Sequence, residues 1–144
     1  MLNKIHLIVF SRLVGSSLRP ILQEQITNLI LINIDKDRDK RSYRDYTEIV
    51  YDHILNYFEN LKNLSVIEPC IASFYPGLSL RGLPSFIFSS SILTHLHIHV
   101  RHFDDCLYLL DGRLRKLATL SVIVRYMDTN TSSGILHNMV SFYK

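Results

Sequence analysis

A six-residue frame, Leu-x-x-Leu-x-Leu with Ile or Val admitted, dominates this chain. It occurs as Leu2-x-x-Ile5-x-Leu7, Ile26-x-x-Leu29-x-Leu31, Leu61-x-x-Leu64-x-Val66, Leu93-x-x-Leu96-x-Ile98 and Leu117-x-x-Leu120-x-Val122. The frames start at positions 2, 26, 61, 93 and 117, so the gaps are 24, 35, 32 and 24 residues. The second half of each frame alternates with period two, the pattern of a strand buried on one side. The fullest case is His95-Leu96-His97-Ile98-His99-Val100, with Leu96, Ile98 and Val100 on one face and three histidines on the other.

Recurrence of such a frame at roughly 20–30 residues is the mark of leucine-rich-repeat-like solenoids. Each unit supplies one short strand and a returning segment, and neither buries its apolar side alone. The expected fold is α/β: a curved parallel sheet with helices on its outer face. The strands are expected at 2–9, 26–32, 61–67, 93–100 and 117–124.

Pro20 suits the first turn of a short helix ending at Gln25. Val50, Tyr51, Ile54, Leu55 and Phe58 form one helical stripe, and Phe103, Leu107, Leu110 and Leu114 form another, with Gly112 as its stop. Leu78 to Arg81 is expected as an extended piece and Pro84 to Ser89 as a single helical turn. The alternating charges of 35–41 and the polar stretch 129–134 read as loops.

With 144 residues, 47% of them hydrophobic, the chain is expected to form one domain over 1–144 with its own core. A net charge of +3 without a dense Lys/Arg cluster gives no footprint for nucleic acid. The longest stretch free of formal charge, Gly82 to Val100, contains Pro84, four serines and three histidines, which argues against a membrane span. Cys70 and Cys106 form no C-x-x-C pair and suit a reducing compartment, so the expected location is intracellular, cytoplasmic or nuclear.

Four segments carry a family resemblance: Gln23 to Leu31, Phe58 to Val66, Leu78 to Ser85 and Phe103 to Leu114. Together they resemble the divergent leucine-rich-repeat-like region of an expanded group of invertebrate F-box proteins. In that family an N-terminal F-box binds a Skp-type adaptor of a ubiquitin ligase, and the repeat region selects the substrate. No leucine- and proline-rich F-box helix precedes the first frame, so the chain is expected to be a fragment lacking the F-box and end caps. Adaptor binding is therefore not carried over. The family's usual Asn or Cys beyond the frame is also missing, with Phe10, Ile34, Pro69, Arg101 and Arg125 in those places.

The resemblance implies a non-enzymatic protein-interaction module with a protein partner. Its candidate partner-binding residues are the outward strand positions His6, Ile30, Ser65, His95, His97, His99, Thr119, Ser121 and Ile123. No catalytic residue and no cofactor is read from the sequence. Asp35-x-Asp37-x-Asp39 fails as a calcium loop, because Lys40 and Tyr46 stand where Gly and Glu are needed. Gly77-x-Ser79-x-Arg81 misses the nucleophile-elbow pattern, and its five glycines give the chain no phosphate loop.

One alternative is a zinc site around His95, His97 and His99. Neighbouring pairs on one strand face stand about 7 Å apart, whereas His95 and His99 would be about 13 Å apart. Two histidines could share an ion, with a third ligand from Asp104, Asp105 or Cys70. The other alternative is a truncated paralogue without independent function.

Overall fold

The computed structural model describes residues 3–6, 17, 19–32, 47–67, 78–126 and 138–143. Its elements, in order, are β1 (Asn3–His6), α1 (Arg19–Gln25), β2 (Asn28–Ile32), a π-helical segment (Thr47–Asp52) running into α2 (His53–Tyr57), β3 (Asn63–Ile67), β4 (His95–His102), α3 (Phe103–Leu109), β5 (Thr119–Tyr126) and β6 (Asn138–Tyr143). The six strands form one sheet whose spatial order equals their chain order. The first five pair in parallel, so each link between them must carry the chain back to the starting end. The fold is α/β. The charged loop at 35–41, the polar stretch 129–134 and Cys70 lie outside the described residues.

The sheet departs from the all-parallel expectation at its last strand. β6 runs antiparallel to β5, pairing Thr119 with Tyr143 and Val124 with Asn138. An antiparallel partner needs only a return loop rather than a crossover, and Asn138 to Tyr143 lacks the clean apolar–polar alternation that would mark a strand in the sequence. β6 also occupies the edge of β5, which would otherwise present a row of unpaired amides and carbonyls.

Each strand buries alternate residues. Leu29 and Leu31, Leu64 and Val66, Leu96, Ile98 and Val100, and Leu120, Val122 and Val124 are all buried. They form one core with Tyr51, Ile54, Leu55, Phe58, Phe88, Cys106 and Leu109 from the helical side. Removing each such side chain from water stabilises the fold by roughly 1.5–3 kcal/mol.

The frame's first residue (Ile26, Leu61, Leu93, Leu117) is buried too, yet the strand begins two positions later than expected. Those lead-in positions are held by a different device, one carbonyl shared between two amides. Thr27 O accepts Lys62 N at 2.8 Å and Asn63 N at 3.0 Å. Lys62 O accepts Thr94 N at 2.8 Å and His95 N at 3.0 Å, and Thr94 O accepts Ala118 N and Thr119 N at 2.8 and 3.0 Å. The same bond pair therefore recurs at three successive junctions, in step with the frame.

The two helical stripes fare differently. Tyr51, Ile54, Leu55 and Phe58 face the core as their spacing predicts. The helix α3 ends at Leu109, so the expected stripe is split. Phe103, Leu107 and Leu110 turn outward, 37%, 55% and 47% exposed, whereas Leu114 is buried beyond the helix, and within α3 it is Asp105, Cys106 and Leu109 that are buried. The inward carboxylate is the reason. Asp105 accepts amides from Leu80 and His102, which fixes the helix's rotation with that side inward. Gly112, after α3, adopts φ +100°, a conformation that glycine takes without steric cost.

Between β3 and β4 the expected extended piece shrinks to one parallel bridge, Leu78 to Val100. The expected helical turn at 84–89 is a set of non-helical turns closed by Ile87 N on Pro84 O. Phe88, at φ +56°, could not continue a helix there. Side chains pin this segment instead: Thr47 Oγ1 accepts Ser79 N at 3.1 Å, and Asp52 Oδ1 accepts Phe88 N at 2.6 Å. Among the described residues, no helix is long and apolar enough to cross a membrane.

Candidate functional site

Because the described helices pack on one side of the sheet, the residues between the buried leucines line the other. Parallel register aligns them in rows. One row is Asn28, Asn63, His95 and Thr119, and the next is Ile30, Ser65, His97 and Ser121. His99 stands beside Ile123 on the following level. His95 is exposed, and the other members of these rows are half-buried, as is Ile123. Eight of the nine sequence-predicted positions thus come together on one face.

The ninth, His6, is displaced. The first frame predicts that it stands beside Ile30, but β1 pairs two residues out of that alignment. His6 partners Ile32, and Lys4 takes the place beside Ile30. A slip of two preserves the in-and-out alternation, so the hydrophobic pattern alone does not penalise it.

Hydrogen bonds order the middle of the face. His97 Nδ1 and Ser121 Oγ share a bond of 3.0 Å across β4 and β5. His95 Nδ1 lies 2.8 Å from Thr94 Oγ1. The rings of His97 and His99 meet edge to face with centroids 6.4 Å apart. Asn63 donates its amide to Asn28 Oδ1, and Asn28 Nδ2 donates to Thr27 Oγ1 at 2.9 Å. Burial holds His97 below the usual imidazole range.

A groove of about 310 Å³ runs across these rows, lined by the outward side chains of Asn28, Ile30, Asn63, Ser65, His97 and Ser121. Its walls carry amides, hydroxyls and imidazoles, with no carboxylate among its lining residues. The groove offers hydrogen-bond donors and acceptors beside the apolar side chain of Ile30.

The zinc alternative finds no complete ligand set. Among the described residues, no three His, Cys, Asp or Glu side chains gather closely enough to hold a metal. Asp105 is committed to Leu80 N and His102 N on the helical side of the sheet, away from the histidine row. Asp104 is exposed on α3.

Sequence reasoning missed a second hollow, about 700 Å³, on the helical side between α2 and the segments at 85–92 and 111–115. Its charged heart is Arg113, whose guanidinium is bound by Asp111 (Nη2 to Oδ2, 2.8 Å) and by Ile87 O (3.0 Å). No histidine or cysteine is among its lining residues. The spacing Asp111-x-Arg113 was the available signal, but only folding brings Ile87 to it. Comparison with protein-family models, with curated proteins and with solved structures gives no match for this chain.

Proposed function

We propose that this chain is a solenoid of leucine-rich-repeat-like units that recognises a protein partner through its open strand face, similar to the substrate-recognition region of an F-box protein. The observation that carries the reading is the register itself. Four parallel strands align Ile30, Ser65, His97 and Ser121 side by side on the face opposite the described helices, along a groove. A shared carbonyl repeated at Thr27, Lys62 and Thr94 supports the repeat reading, since a solenoid reuses one interface between neighbouring units. The free, buried thiol of Cys106 is compatible with a reducing compartment. The partner is a protein, and no adaptor-binding role is assigned.

The test is in-cell proximity labelling with the wild type and a His97→Glu/Ser121→Glu variant. Both positions are half-buried on the open face, so the variant is expected to keep the wild-type circular dichroism spectrum. Proteins enriched by the wild type should disappear from the variant's set. A variant that keeps the same labelled partners rules the open face out.

A further inference from the structure

The hollow on the helical side is built by three stretches of chain. α2 and the residues after it give Asn56 and Glu59, the turns at 85–92 give Phe86 and a set of serines, and 111–115 gives Asp111, Arg113 and Arg115. Its volume of about 700 Å³ falls within the range of ligand sites. The backbone around Phe86 is pinned from several sides. Asp52 Oδ1 accepts Phe88 N at 2.6 Å, Ile87 O accepts Arg113 Nη1 at 3.0 Å, and Ile87 N donates to Pro84 O at 3.0 Å. Phe88 is fully buried, whereas Phe86, two residues earlier, is 69% exposed and lines the hollow.

The polar lining is mixed in charge and rich in oxygen. Among the described lining residues, Glu59 and Asp111 are matched by Arg113 and Arg115. Asp111 and Arg113 already neutralise one another through a 2.8 Å pair. A phosphate or sulfate would meet the two carboxylates, and an ammonium would meet the two guanidiniums. Ser85, Ser89, Ser90 and Ser91 add hydroxyls, which both donate and accept. Ser90 Oγ accepts Ile92 N and Leu93 N, which leaves its proton to donate. Asn56, its amide nitrogen bonded to Asp52 at 2.9 Å, adds an oxygen acceptor. A carboxylate oxygen accepts more than one bond, so Asp111 can hold Arg113 and accept from a ligand hydroxyl as well.

We propose that this hollow binds a neutral carbohydrate, a pyranose whose apolar ring face stacks on Phe86 while its hydroxyls bond to Asp111, Arg115 and the serines. A sugar ring combines one flat apolar face with a belt of uncharged hydroxyls. Those hydroxyls donate and accept, so carboxylate, guanidinium and serine all find partners on one ring. Bonds from a neutral hydroxyl to a charged group are the stronger kind, and the balanced lining supplies them without repelling the ligand. The Arg113 guanidinium keeps the Asp111 carboxyl below its usual range, so Asp111 remains an acceptor at neutral pH. The site is separate from the strand-face reading above, because the sheet lies between the two.

The test applies the full chain, biotinylated and clustered on labelled streptavidin, to an array of neutral and anionic glycans, where multivalency makes a weak site measurable. Wild type should be retained on at least one neutral glycan. Phe86→Ala should lower that signal by about tenfold or more, and Phe86→Tyr, which keeps the ring, should stay within about twofold of wild type. Phe86 is exposed, so both variants are expected to keep the wild-type circular dichroism spectrum. Each glycan is printed free and as a glycopeptide, and the form retained identifies a free saccharide or a protein-borne one as the source. No retention on any neutral glycan overturns the proposal, as does equal retention of Phe86→Ala. Retention confined to sulfated or sialylated glycans overturns it too, since it assigns the hollow to an anion. The His97→Glu/Ser121→Glu variant should be retained on the same glycan as the wild type. Its loss there would move the sugar to the strand face and overturn the assignment.

Discussion

Asp105 is 1% exposed, and its Oδ1 accepts the backbone amide of Leu80 at 2.7 Å, joining the first turn of α3 to a segment 25 residues earlier. Its other oxygen accepts His102 N at 3.0 Å. Removing the carboxylate strands both amides, and leaving a buried donor unpaired costs about 1–3 kcal/mol. Asp105→Ala should therefore destabilise the fold by about 2–5 kcal/mol in urea unfolding.

The same residue has a pH signature. Burial pushes the Asp105 carboxyl above the ordinary carboxylate range, against the amides of Leu80 and His102 that pull it down. A raised folded-state value means that the native state holds the proton more tightly than the unfolded chain. Its contribution is then fully present below the unfolded value and is lost as pH rises through the folded one. In paired unfolding curves, the stability advantage of the wild type over Asp105→Asn should be larger near pH 4 than at pH 7.

Rotation of α3 yields a second prediction, from residues that sequence spacing places inside. Leu107 is more than half exposed, whereas Leu109 is buried against the sheet. Leu107→Glu should change stability by no more than about 0.5 kcal/mol, as surface substitutions do. Leu109→Ala removes core volume and should cost about 2–5 kcal/mol. Comparing unfolding midpoints at equal m-value separates the two.

That helix shows where legibility ends. Strands alternate with period two whatever they pack against, so Leu29, Leu64, Leu96 and Leu120 announced both the strands and their buried face. The open face followed by subtraction, and with it Ser65, His97 and Ser121. A helix offers two competing stripes in α3, Phe103–Leu107–Leu110 and Asp105–Cys106–Leu109. Hydrophobicity favours the first. The deciding partner, Leu80 N, is distant in sequence and invisible to local periodicity. The slip of β1 was hidden for a related reason, since alternation fixes which face a residue takes and not register in steps of two, while β6 gave no strand signal because Met139-Val140 and Phe142-Tyr143 break the alternation.

Arg113 supplies a third prediction. Its side chain is 1% exposed, and Asp111 holds it through Nε and Nη2 while Nη1 donates to Ile87 O. The Arg113 guanidinium holds the Asp111 carboxyl below its usual range. Arg113→Lys cannot reproduce the fork, so it should not restore the stability that Arg113→Ala loses, about 1–3 kcal/mol because Asp111 itself is exposed and the loss falls on the hydrogen bonds of the buried guanidinium. Because Asp111's folded-state value is depressed, its contribution is present above the unfolded value and lost as pH falls through the folded one. Asp111→Asn should accordingly flatten the acid limb of the stability profile below about pH 4, measured by thermal unfolding from pH 2.5 to 6.

Cys106 offers a chemical test of the core. Burial pushes its thiol up to about 11, and the neighbouring Asp105 carboxylate adds to the rise. Thiolate is the reactive form, so the buried group should be inert at neutral pH for reasons of both charge and access. In a Cys70→Ser background, where Cys106 is the one remaining thiol, native protein at pH 7.5 should consume no more than a trace of Ellman's reagent over minutes. Unfolding in guanidinium should release one equivalent. Adding Asp105→Ala should accelerate native-state labelling, because loss of the carboxylate's amide bonds loosens the first turn of α3 over the sulfur. Rapid labelling of the wild-type background would instead place Cys106 at a solvent-accessible surface and contradict the inward rotation of that helix.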